Sequence, residues 1–305
     1  MAMTREKYLY GVLYAVISSA TFGLIPLFSI PLLEGGMSSQ TVLCYRFLFA
    51  ALLMGGIVVL ARRNLKLSLR QLYAVVILSV LYALTAILLI ESYKYIPSGI
   101  ATTIHFLYPL AVTLIMSWLF GERTSIATYI AIVVSLIGVI LLAWGGHHGG
   151  DFKRGVALAM ATVVTYAVYI VGVMKSRASR IESLTLTFYV LLIGAIMFFL
   201  YAFATTGIGP IHRYVEWRDL LMLALVCTVL SDYTLVLAIK YIGSTMTSIL
   251  GSMEPMTAVV VGGVYFGERF DAVSIAGVLL VIIAVVMVIV QGGRTKDRIQ
   301  NKRVE

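Results

Sequence analysis

Five ionisable residues stand out within or at the ends of long apolar runs: Arg46, Glu91, His105, Asp232 and Glu254. On insertion scales a charge at mid-helix in a bilayer costs roughly 2.5–3.5 kcal/mol. Each therefore needs a proton, a counter-ion or a hydrogen-bond partner. The chemistry open to such groups is binding and proton transfer. Asp232 lies about two-thirds along its run. It reads as a proton carrier or substrate-amine partner, or as one end of an interhelical hydrogen bond. Glu254 directly precedes Pro255; it either takes part in transfer or satisfies backbone groups that the proline releases. Arg46, five or six residues into its run, either snorkels to the headgroups or contacts a substrate carboxylate. Glu91 stands three residues before Lys94, the spacing of an interfacial ion pair. His105 lies three residues before Tyr108 and four before Pro109, on one helix face. An unperturbed imidazole titrates near pH 6.5, so His105 is either a titrating pathway residue or a neutral interhelical partner.

Aromatic side chains flank these positions: Phe22, Tyr82, Phe106, Tyr108, Tyr166, Tyr169 and Tyr233. They pack the core or line a cavity that stacks on a metabolite. The candidate pathway is thus Thr21, Phe22, Arg46, Tyr82, His105, Tyr108, Tyr166 and Tyr233. Asp232, Glu254 and His105 are the candidate proton-coupling groups. No glycine-rich phosphate loop with Lys-Ser/Thr is present, so ATP-driven transport has no support. His147-His148 lacks partner ligands for a metal, and no nucleophile–base–acid set stands out. The reading calls for no cofactor, no metal and no catalysis.

The elements that must position these groups are apolar helices. The 305 residues are 61% hydrophobic and 12% charged, with a mean hydropathy of +1.00. Ten runs are long enough to span a bilayer, which takes roughly 20 residues: about 8–28, 41–61, 71–91, 98–120, 125–145, 155–174, 184–205, 218–239, 244–266 and 272–291. The first is too long for the apolar region of a signal peptide and is read as a retained span. Cys44 and Cys227 fall inside spans and read as packing residues. The net charge of +9 is distributed by side: with the N-terminus cytoplasmic, sixteen Lys/Arg fall inside and six outside. That bias is the positive-inside rule and not a nucleic-acid footprint. Both termini are then cytoplasmic, and the basic tail meets anionic headgroups.

Residues 94–123 and 240–269 align without a gap at an offset of 146, with nine of thirty positions identical. Pro109 matches Pro255, and Gly121-Glu122-Arg123 matches Gly267-Glu268-Arg269. Gly11-Val12 and Gly155-Val156 match at an offset of 144. Five spans per half is an odd number, so the second half enters from the opposite side. The fold class expected is an all-α integral membrane protein: ten transmembrane helices as two inverted five-helix repeats over 1–148 and 149–293, with a basic tail at 294–305. Each proline removes the amide that would bond the carbonyl four residues back, at His105 and Gly251. A helix kink facing a polar pathway is expected there.

Glu254-Pro255, Gly267-Glu268-Arg269 and the apolar helix from Ala272 resemble the EamA-type domain of the drug/metabolite transporter superfamily. The first half repeats the pattern as Tyr108-Pro109 and Gly121-Glu122-Arg123, with Tyr108 in place of Glu254, so no carboxylate role carries into that helix. The resemblance covers the whole chain. It implies transport, often outward, of amino acids, sugars, nucleosides, amines or other metabolites, with amino acid export across a bacterial inner membrane the first expectation, proton-coupled transport and facilitated exchange both open, and a central site drawn from spans 1, 3, 4, 6, 8 and 9. The expected partners are a small-molecule substrate and the lipid bilayer, with no nucleic acid and no oligomeric state assigned. Two rivals stand beside this reading. A lipid or lipid-carrier flippase needs basic residues at a lateral opening, and Arg46 is the one intramembrane cation. An intramembrane enzyme or assembly factor needs a clustered catalytic set.

Overall fold

A computed structural model describes residues 5–122 and 150–268 without interruption, and isolated positions within 126–141 and 271–287. Most of the expected fifth and tenth spans, Arg123, Arg269, the 148/149 boundary and the 294–305 tail lie outside the described residues. In chain order the helices are α1 (Arg5–Phe22), α2 (Ile25–Glu34), α3 (Ser39–Leu60), α4 (Leu69–Ser92), α5 (Ser98–His105), α6 (Tyr108–Phe120), α7 (Gly150–Lys175), α8 (Ser183–Ala204), α9 (Tyr214–Ala224), α10 (Ser231–Ile249) and α11 (Met253–Tyr265). No strand occurs among the described residues. Seven helical stretches there are long and apolar enough to cross a membrane. The protein is a multi-pass membrane protein.

Local chemistry sets the helix boundaries. The Ser38 hydroxyl accepts the Thr41 amide at the start of α3, and Ser68 with Gln71 forms a reciprocal box at the start of α4. Such caps satisfy amides that a helix leaves free. Interruptions are as informative as starts. The first span breaks at Gly23–Leu24, and α2 resumes with Pro26 in its first turn. The fourth breaks at Phe106–Leu107, and α6 resumes with Pro109 in its first turn. Ahead of α11 the chain passes through Gly243, at φ 86°, and a 3₁₀ segment at Leu250–Ser252. Pro109 and Pro255 therefore open new helical segments, where a missing amide is harmless, instead of kinking a continuous helix.

The two halves interlock. α1 packs on α10, α4 on α7, α3 on α8, and α5 on α11. Exchanging the halves carries α1–α10 into α4–α7, returns α3–α8 to itself, and carries α5–α11 into α6–α10, which are also in contact. The repeated residues make the repeated contacts: Gly11 lies against Tyr241 and Ile242, and its counterpart Gly155 lies against Tyr95 and Ile96. A Cβ at Gly155 would fall 2.7 Å from Ile96, so the helices meet too closely for any side chain. Small residues allow this approach between membrane helices. The outer surface is apolar: Leu60 is 85% exposed and Phe203 74%. Ser, Thr and the central charged residues face inward, the arrangement a bilayer solvent demands.

Candidate functional site

The polar residues gather at the interface of the two halves as two networks joined by aromatic rings. The first is built on α3 and α10. Arg46 is 1% exposed, and its Nε donates to Thr228 Oγ1 at 2.7 Å. It does not snorkel. Thr228 lies in a π-helical turn, Leu225–Leu230, and donates its own proton to the Leu223 carbonyl five residues back. That wider turn leaves a hydroxyl lone pair for the guanidinium. Asp232 follows on α10, 2% exposed, and its Oδ1 accepts from Tyr82 Oη of α4 at 2.6 Å. Arg46 acts electrostatically on both Tyr82 and Asp232.

The second network joins α5, α7 and α11. His105 Nδ1 lies 2.7 Å from Thr162 Oγ1, and Thr162 donates to the Ala159 carbonyl. The threonine proton is thus committed, so Nδ1–H is the donor and Nε2 is left with a lone pair in the neutral ring. That nitrogen faces Glu254 Oε1 at 3.6 Å, both residues being at most 2% exposed. An imidazole lone pair and a carboxylate oxygen repel each other. A proton on the acid or on the ring would relieve that repulsion. The Tyr108 phenol reaches the same carboxylate.

Rings connect the networks. Tyr82 lies 5.1 Å from Tyr169, Tyr169 stacks on Tyr166 at 6.0 Å, and Tyr166 meets His105 at 5.0 Å and Tyr108 at 4.7 Å. Phe22 of α1 stacks on both His105 and Tyr166. Four buried polar atoms in this cluster have no hydrogen-bond partner among the described residues: Arg46 Nη2, Asp232 Oδ2, His105 Nε2 and Glu254 Oε1. An orphaned buried polar group costs about 1–3 kcal/mol, more when charged. One guanidinium nitrogen, two carboxylate oxygens and one imidazole nitrogen are held this way.

The structure thus brings together Phe22, Arg46, Tyr82, His105, Tyr108, Tyr166, Asp232 and Glu254. Thr21 stands apart, its hydroxyl bonding the Ile17 and Ser18 carbonyls of its own helix. Tyr233 points away from Asp232 and is half-buried, with Tyr14 and Glu182 among its neighbours. Glu91 pairs with Lys94 at 2.8 Å on the surface. Tyr169, one of the flanking aromatic residues, joins the cluster, and Thr162 and Thr228 complete it without any sequence signal of position. Asp219, also 1% exposed, accepts from Arg218 beside Leu27 and Phe28 of α2.

The repeated Gly-Glu-Arg acids have a structural part that the repeat alone does not disclose. Glu268 Oε1 accepts from Ser98 N at 2.8 Å and Ser98 Oγ at 2.6 Å, and Oε2 accepts from Gly99 N at 3.3 Å. An acid of the second half therefore caps the first-half helix α5. Its counterpart Glu122 accepts from Thr245 Oγ1 at 3.4 Å, at the matching helix start in the second half. A carboxylate there meets free amides and the positive end of the helix. Glu268→Gln is expected to lower stability by roughly 1–2 kcal/mol, read as a drop in the detergent melting temperature. Glu91→Gln, at a partly exposed ion pair, should change it by less than about 0.5 kcal/mol. Equal effects would refute the cap.

The family model for EamA-like transporters matches residues 9–144 and again 153–290. The chain belongs to the EamA-like transporter family. Among curated EamA-type relatives, the uncharacterized transporter sll1319 of Synechocystis sp. is 29% identical over 216 residues, 66% of this chain; the match spans 61% of that protein's length. The uncharacterized transporter YvbV of Bacillus subtilis is 25% identical over 263 residues, 82% of this chain and 85% of its own. A solved crystal structure superposes with a TM-score of 0.69 at 16% identity, covering 94% of this chain and 98% of the other, a likeness of fold alone. The EamA family and these relatives point to a membrane transporter rather than an enzyme.

Proposed function

We propose that this protein is a secondary transporter that moves a small zwitterionic metabolite, with amino acids the leading class, by alternating access and with proton coupling. The ten spans form two inverted repeats, 1–148 and 149–293. Both termini and the 294–305 tail lie in the cytoplasm beneath a bacterial inner membrane. Transport runs outward. The observation that carries the reading is the buried set of orphaned polar atoms between the halves, one guanidinium nitrogen against carboxylate and imidazole acceptors. A substrate carboxylate docks on Arg46 Nη2, which has a free N–H and a guanidinium planar enough to present it. The substrate amine takes the place of a proton at Asp232 or at the His105–Glu254 pair. Substrate and proton then compete for the same acceptors, which is coupling by exclusion. The interrupted helices at Phe106–Leu107 and Leu250–Ser252 place backbone polar groups beside this set, as discontinuous transporter helices do.

The test is uptake into proteoliposomes of a labelled panel of amino acids, sugars, nucleosides and amines, with and without an imposed pH gradient. At least one zwitterion should accumulate above its equilibrium level only with the gradient. Equal entry with and without it would remove proton coupling, and silence across the panel's zwitterions would remove the substrate class. Accumulation of a labelled lipid analogue alone would favour the flippase reading.

A further inference from the structure

A second site lies on the outside of the bundle. α4, α7 and the turn after α7 line a groove of about 890 Å³. Arg70, Lys175, Arg177 and Arg180 ring its mouth, and Tyr73 and Ile77 line its length at 71% and 43% exposure. Lys175 lies over the Phe120 ring at 4.8 Å. Arg70, Arg177 and Arg180 are exposed and have no carboxylate partner among the described residues. Three unpaired guanidinium groups on a short stretch of surface repel one another, and an anion between them removes that cost. Ser176 and Ser179 stand in the same rim. A free inorganic anion would leave the apolar length of the groove unfilled.

We propose that this groove binds one anionic phospholipid, with its phosphate among Arg70, Arg177 and Arg180 and an acyl chain along Tyr73 and Ile77. Basic pockets between membrane helices recognise such headgroups, and arginine forks suit phosphate oxygens. The site rests on the transporter topology in one respect, that this basic end meets a cytoplasmic leaflet. α4 belongs to the first half and α7 to the second, so the lipid bridges the two moving bodies and its occupancy favours the arrangement in which they stay close.

Native mass spectrometry of the full chain in detergent tests this, using added dioleoyl-phosphatidylglycerol or dioleoyl-phosphatidylcholine. The anionic lipid should be retained at least about tenfold more than the zwitterionic one. Arg177→Gln with Arg180→Gln should bring its retention down to the zwitterionic level. Arg62→Gln with Lys66→Gln, two charges in the neighbouring α3–α4 loop but outside the groove, should leave it unchanged. Equal retention of the two lipids by the unaltered protein overturns the site without any variant having to fold. An unaffected groove variant, or loss of the lipid to an equal concentration of inorganic phosphate, overturns it as well. The measurement needs neither orientation nor transport, so its failure is separate from failure of the transporter reading.

Discussion

Asp232→Asn is expected to reduce gradient-driven transport to the level of empty liposomes while the protein remains folded. Asp232 sits at 2% exposure, with Tyr82 donating to Oδ1 and no partner for Oδ2 among the described residues. Asparagine has nearly the same shape and can keep the Tyr82 bond through its carbonyl. It has no protonation cycle, so rate and pH dependence should vanish together. The repeat supports tolerance of the change: the first-half counterpart of Asp232 is Ala86, and a folded bundle accepts it. Glu254→Gln removes the acid that faces His105 Nε2 at 3.6 Å, and it should leave substrate exchange measurable. Its amide N–H can supply the hydrogen that the pair requires, but permanently, so the site no longer loads and unloads a proton. Expression and a monodisperse elution profile establish folding. Unchanged rate and pH profile in both variants would make these acids structural.

Gly251→Ala should give the largest loss of stability, and Tyr108→Phe should partly restore it. Gly251 lies in the interrupted stretch before α11, and an added Cβ would overlap Tyr108 Oη and come within 3.3 Å of Phe106. The phenol cannot swing aside, because Phe106, His105 and Tyr166 pack against its ring. Overpacking a closed core costs typically about 1–3 kcal/mol. At roughly 2–4 °C per kcal/mol for a chain of this class, the melting temperature in detergent should fall by several degrees. Removing the Tyr108 hydroxyl frees the volume that the new methyl needs. The double variant should therefore melt above Gly251→Ala alone. If the effects of the two substitutions simply add, the contact is not as described.

Hydropathy, the offset repeat and the charge asymmetry made the membrane class, the duplication and the family pattern legible before any coordinates. These are properties of long segments, and a bilayer imposes them on every span. The ionisable residues were legible for the same reason: a charge in an apolar run stands out against its surroundings. The sequence did not say where each side chain points. Successive residues on a helix are about 100° apart, so Asp232 enters the core while Tyr233, its neighbour, faces another way. Arg46 is placed by its span near the membrane edge, but a threonine presented by a π-helical turn 182 residues later draws it inward. The prolines marked the level of the interruptions. Whether the helix bends or stops there depends on partners such as Ser19, which donates to the Leu250 carbonyl from α1. Glu122 and Glu268 were visible as a repeated motif, but their caps cross between the halves. Composition and periodicity fix what must lie in the membrane. Which groups meet is set by rotation about each helix axis and by contacts between residues far apart in the chain, and only the packed bundle determines those.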